Sequence, residues 1–165
     1  MTEPMLNELR QEAKTTRRVL ERVPDDKLSW RPHPKSMSLG QLAFHLATIP
    51  GNISRLAGQD GFDAAQANFE PPLPKNVDEI LTAHDASVKA AETFIGGLSP
   101  QQAMANWRFT NRGQEVFTVP RVGVLRSILL NHVYHHRGQL SMYLRLIDIP
   151  VPVIYGRSAD ENPFA

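Results

Sequence analysis

Asn131-His132-Val133-Tyr134-His135-His136-Arg137-Gly138-Gln139 lies inside a long apolar-periodic run near the C-terminus, from about Thr118 to Leu146. Val124, Leu125, Ile128, Leu129, Val133, Leu140, Tyr143 and Leu144 give that run its helical pattern. At about 100° per residue, His132 and His136 sit one turn apart on one face, offset by roughly 40°. The stripe through Leu125 and Ile128/Leu129 extrapolates to His132 and, one turn later, to His136. Two imidazoles on a face that should point into a core are costly unless something binds them. A single core histidine bonded to a neighbour is commonplace, whereas a pair at i,i+4 on a buried face is better explained by a shared metal. His135 is also near this face, so spacing leaves open which of His135 and His136 partners His132.

The chain has 165 residues, which is most simply one domain spanning residues 1–165 with room for a sizeable core. No apolar run approaches the roughly 18 residues of a membrane span, and Met1-Thr2-Glu3-Pro4 does not start like a signal peptide. The expectation is a cytoplasmic protein with no membrane partner. A net charge of +1 gives no global drive toward nucleic acid. Arg10, Lys14, Arg17, Arg18 and Arg22 are interleaved with Glu8, Glu12 and Glu21, the pattern of a solvated helix face. There are no cysteines, so any metal here is held by nitrogen and oxygen.

In chain order, a first helix is expected from about Glu3 to Arg22, ended by Pro24-Asp25-Asp26. Two prolines keep Lys27 to Pro34 from being helical throughout, and Trp30 should anchor that connection. Ser38-Leu39-Gly40-Gln41 is a capping box opening a second helix, with Leu39, Leu42, His45/Leu46, Ile49 and Ile53 inward. Pro50-Gly51 should kink or briefly break it. Gly58 to Lys75 reads as a long loop with little regular structure. Asn76-Val77-Asp78-Glu79 resembles a second capping box, and its helix, with His84 inward, closes at Gly96-Gly97. Ser99-Pro100-Gln101-Gln102 starts a short helix, and Trp107 to Val119 reads as a short hairpin around Asn111-Arg112-Gly113. Ile149 to Ala165, with three prolines, should wrap the surface as an extended tail.

Four long amphipathic helices point to an all-α, four-helix bundle, a fold that builds metal sites from side chains on facing helices. His45 with His132 and His136 makes a three-histidine site. Neutral ligands would leave a divalent ion its full charge and an open position, suited to hydrolysis or thiol transfer. Zinc suits these ligands, and nickel and iron accept them too. His45 alone would more often be a satisfied core histidine, and His84 occupies its own inward stripe just as well. His33, between two prolines, reads as an exposed loop residue. Gln139 and Arg137 could support the ligands or serve packing and surface roles. No residue presents itself as a catalytic acid or base.

Trp30-Arg31-Pro32-His33, then Ser36-Met37-Ser38-Leu39-Gly40-Gln41-Leu42 leading to His45, resembles the first signature of the DinB-like (DinB/YfiT) superfamily. His132-Val133-Tyr134-His135-His136-Arg137-Gly138-Gln139 resembles its second, and the tail from Pro150 to Glu161 is also similar. The resemblance implies an up-down-down-up bundle, a homodimer, and a zinc or nickel ion on His45, His132 and His136. It thus selects His136 over His135 and leaves His84 outside. It further implies a small-molecule substrate, with low-molecular-weight thiols used by characterised relatives. Two functions follow: a metal-dependent thiol transferase or hydrolase, or a non-catalytic, metal-stabilised, stress-related dimer.

Overall fold

A computed structural model describes residues 2–67 and 70–164. Helix α1 spans Glu3–Leu20, α2 spans Leu39–Ala57 and α3 spans Val77–Gly97. A short α4, Pro100–Met104, precedes strands β2 (Asn106–Asn111) and β3 (Gln114–Pro120); β1 is Gly61–Asp63. The last helical run has three parts: α5 (Arg121–Val124), a π-helical segment (Leu125–Leu130) and α6 (Asn131–Leu146). The helix starts follow local chemistry. Ser38 Oγ accepts the Gln41 N–H while Gln41 Oε1 accepts the Ser38 N–H, closing a capping box, and Ser99 with Gln102 repeats it. At α3, Asn76 accepts from the Glu79 N–H, but the Glu79 carboxylate takes the Lys75 N–H, so that box is displaced by one residue.

α1 packs on α3 and α6, and α2 packs on the same two helices. Two apolar clusters fill the space between them. One joins Leu42, Leu46 and Ile49 of α2 to Leu20, Ile80, Val133, Leu140 and Leu144. The other joins Leu9, Ala57, Ala91, Ile95, Leu125 and Leu129 to Trp107, with Phe62, Phe109 and Phe117 packed against it. Trp30 and Tyr143 close the first cluster edge to face at 5.8 Å, and the Trp30 carbonyl accepts the Leu39 N–H at 2.7 Å. The connection before α2 is thereby fastened to the helix that carries His45.

The fold is mostly helical, but it is not all-α, because a three-stranded sheet of order β1-β2-β3 caps the second cluster. β2 and β3 form the expected hairpin around Arg112-Gly113, both at positive φ (52° and 76°). β1 pairs parallel to β2 and lies in the stretch expected to be a long loop. The Asp63 carboxylate accepts the Arg112 and Gly113 N–H groups at 2.9 and 2.8 Å, so β1 and the hairpin turn stabilise each other. Residues 68 and 69 of that expected loop lie outside the described residues.

Pro50 does not break α2, which continues to Ala57. Beside it, the Gly51 N–H donates to Ser87 Oγ on α3 at 2.7 Å, and a Cβ on Gly51 would come within 3.1 Å of Ser87. Close approach of α3 gives the backbone an external acceptor where proline disturbs the ladder. The final helix also departs from a uniform run: its π-helical segment advances fewer degrees per residue and re-phases the stripe before His132. From Ile149 to Phe164 the tail has no helix or strand. Asp160 holds Arg145 and the Val151 N–H, while Glu161 holds Arg18, Arg22 and the Val153 N–H. Among the described residues no helix is long and apolar enough to cross a membrane.

Candidate metal centre

α2 and α6 run antiparallel where they face each other. Met37 pairs with Tyr143 near one end, and His45 meets His132 and His136 further along. The capping box sets the start and phase of α2, and Leu42, Leu46 and Ile49 bury the neighbouring face. His45 then falls at the edge of the core rather than within it. On α6, Val133, Leu140 and Leu144 fix the inward face, placing His132 and His136 opposite His45. One nitrogen from each of the three imidazoles lies within 4.8 Å of the other two, a grouping that could hold a metal ion. The Nε2 atoms of His45 and His132 are 3.3 Å apart. Two nitrogens on a tetrahedral zinc, each about 2.0–2.1 Å from the ion, would stand roughly 3.3–3.4 Å apart.

The electrostatics suit a cation. Burial lowers the pKa of all three histidines, and their mutual repulsion when charged adds to the effect at His132 and His136, each lowered to about 4. Near neutral pH the site therefore presents neutral imidazoles with lone pairs to share. His136 Nδ1 lies 2.7 Å from Gln139 Oε1. With that oxygen as acceptor, the ring proton sits on Nδ1 and Nε2 is left as the donor atom. Without an ion, the short His45–His132 contact requires one ring to present N–H to the other's lone pair. The donor set thus fits a divalent ion: three nitrogens, no competing cation among them, and a glutamine orienting the most buried ring.

The other histidines separate cleanly. His84 is 3% exposed on α3, against Asp85 at 3.3 Å, and takes no part in the cluster. His135 is exposed beside His136, with ring centroids 4.8 Å apart, and is not among the three. His33 is exposed, its Nδ1 accepting the Lys35 N–H. Arg137 points away from the site: only 1% exposed, it pairs with Glu12 of α1 at 2.7 Å and bonds Thr16 and the Tyr155 hydroxyl. It clamps α6 to α1 and to the tail. Sequence reasoning did not single out Glu12 or Tyr155 as its partners, because a charge in a solvated-looking run gives no local sign of burial.

The family model of the DinB superfamily matches residues 8–140. The chain is 28% identical over 152 residues to the uncharacterized protein YrdA of Bacillus subtilis (strain 168), covering 91% of this chain and 85% of that one. A DinB-like protein from Bacillus cereus ATCC 10987 has the same fold, with a TM-score of 0.73 at 22% identity over 93% of this chain and 97% of that one. The DinB-like protein YjoA of Bacillus subtilis superposes with a TM-score of 0.70 at 16% identity, over 94% and 99% of the two chains.

Proposed function

The chain belongs to the DinB superfamily, and on that premise we propose that it is a metal-dependent enzyme acting on a small molecule, as a low-molecular-weight-thiol transferase or a hydrolase. His45, His132 and His136 hold the ion, which is zinc or nickel. The observation carrying this reading is the meeting of three neutral nitrogen donors at the half-buried junction of α2 and α6, with Gln139 orienting one of them. In the finer reading the long helices form the family's up-down-down-up bundle, and the protein is a cytoplasmic homodimer.

A divalent ion there would supply Lewis acidity, favouring the ionised form of a water or thiol at the site. The chain's own residues do the rest. Low pKa values keep the imidazoles unprotonated, Gln139 fixes the His136 tautomer, and the clusters beneath α2 and α6 hold the three rings in register. No described carboxylate joins the cluster, so a carboxylate base is not part of the proposal.

The test combines metal analysis of purified protein, a thiol-transfer and hydrolysis screen, and circular dichroism before and after chelation. The expected outcome is about one ion per chain, turnover lost on chelation, and helicity retained, since the apolar clusters do not depend on the ion. Full turnover by metal-free protein would exclude metal-dependent catalysis. Global unfolding on chelation, with no turnover found, would favour the alternative of a metal-stabilised binding protein.

A further inference from the structure

A cavity of about 460 Å³ lies at the N-terminal end of α2, lined by Arg31, Lys35, Met37, Gln41, Glu70 and Pro71 among others. Gln41 stands one helical turn before His45, about 6 Å along the axis and offset by about 40°, so one wall of the cavity lies a single turn from the first of the three histidines. Its lining carries two cations against one carboxylate. No ion pair joins Arg31 or Lys35 to another described residue, whereas most other arginines are paired.

The backbone of α2 offers the cavity little. The Leu39, Gly40 and Gln41 N–H groups already donate to Trp30 O, Leu28 O and Ser38 Oγ. Gln41 is itself held, Oε1 by the Ser38 N–H and Nε2 by Pro71 O. The wall is therefore fixed, and the groups left to bind a ligand are the Arg31 and Lys35 heads. Both project from a stiff turn in which Pro32 and Pro34 flank His33 between them and Ser36 N–H closes onto His33 O. A guanidinium and an ammonium on a restrained backbone recognise a carboxylate or phosphate with little ordering cost.

We infer that this cavity is an anion-recognition subsite, in which Arg31 and Lys35 hold a carboxylate or phosphate of the molecule whose other end meets the histidines. The inference rests on the reading of those histidines as the reactive centre, and it narrows the substrate class to molecules carrying an anionic group at least about one helical turn from the reacting atom. Its volume is that of a small-ligand pocket rather than a macromolecular interface.

The anion arm of the test uses metal-free protein labelled with ¹⁵N, titrated separately with succinate, inorganic phosphate and neutral succinamide. Succinate or phosphate is expected to move the amide resonances of residues 31–41 saturably, and succinamide to leave them in place. The double variant Arg31→Met/Lys35→Met, at two exposed positions, should weaken that response about ten-fold or more, as loss of charge-assisted hydrogen bonds does. The better of the two anions identifies the group recognised. No anion-dependent change at 31–41, or a change that survives in the double variant, overturns the subsite. The second arm compares mercaptosuccinate with neutral 1-thioglycerol on zinc-loaded protein; the preference for mercaptosuccinate should fall in the double variant, and an unchanged preference counts against the subsite. Failure to take up zinc sinks the metal reading while the anion arm still decides the subsite.

Discussion

At the scale of single residues, the three histidines should behave unequally with respect to the others. His45→Ala or His132→Ala removes one of three donors and should abolish most zinc or nickel uptake, whereas His135→Ala and His84→Ala should leave stoichiometry unchanged. Gln139→Ala keeps all three donors but loses the partner of His136 Nδ1, so affinity should drop about 10–100-fold by competition titration. His84 carries a different prediction. Burial lowers its pKa below 6.5, only partly offset by Asp85, so the unfolded state binds more protons as pH falls below about 6.5. Stability contributed by neutral His84 is full above that value and is lost as pH falls toward its folded pKa. The site histidines act with the same sign in metal-free protein. The His84→Gln variant should therefore lower, not abolish, the slope of stability against pH below about 6.5, by at most about 1.4 kcal/mol per pH unit. Urea melts across that range, under chelator, measure it; an unchanged slope would show that His84 binds protons alike in the folded and unfolded states, against the lowered pKa that its burial implies.

At the scale of elements, the end of α6 offers the cleanest experiment. Ile149 N–H donates to Leu144 O and Asp148 N–H to Arg145 O, which is a Schellman closure, and Asp148 sits in the left-handed region at φ 60°. That conformation favours glycine, so Asp148→Gly should raise stability by about 0.5–1 kcal/mol in thermal or urea melts, with metal uptake unchanged. A loss of stability would show that the Asp148 side chain contributes more than its backbone strain costs. In α2 the equivalent lesson is that proline tolerance comes from outside the helix. Ser87 accepts the Gly51 N–H, and no feature of residues 39–57 alone announces that acceptor.

At the scale of the whole molecule, the Arg137–Glu12 pair joins α6, α1 and the tail through the Tyr155 hydroxyl, which donates to Glu12 at 2.7 Å. Breaking one side of a buried pair leaves the other charge uncompensated. Arg137→Met should destabilise the protein by about 3–5 kcal/mol, and Arg137→Met/Glu12→Leu should recover a good part of it. Limited proteolysis should reveal earlier cleavage after Arg157 in the single variant, because the tail has lost a fastening to the helices. Equal stability in the single variant would mean that solvent reaches Glu12 and screens it.

The sequence by itself determined what depends on neighbours a few residues away. The Ser38–Gln41 and Ser99–Gln102 boxes, the Arg112-Gly113 turn and the i,i+4 spacing of His132 and His136 are local hydrogen bonding and helical periodicity, and each is readable in place. The two histidine signatures also marked the family, which the match over residues 8–140 shows. Only the tertiary structure decided among residues that look alike locally. His45 and His84 sit on inward stripes of equal quality; α2 turns His45 toward α6, while α3 buries His84 beside Asp85. β1 is three residues long and exists because the β2 edge and the Asp63 contacts to a turn some fifty residues away complete it. The π-helical segment and the passage of α2 through Pro50 likewise arise where helices pack, and no short stretch of sequence encodes a partner contributed by another element.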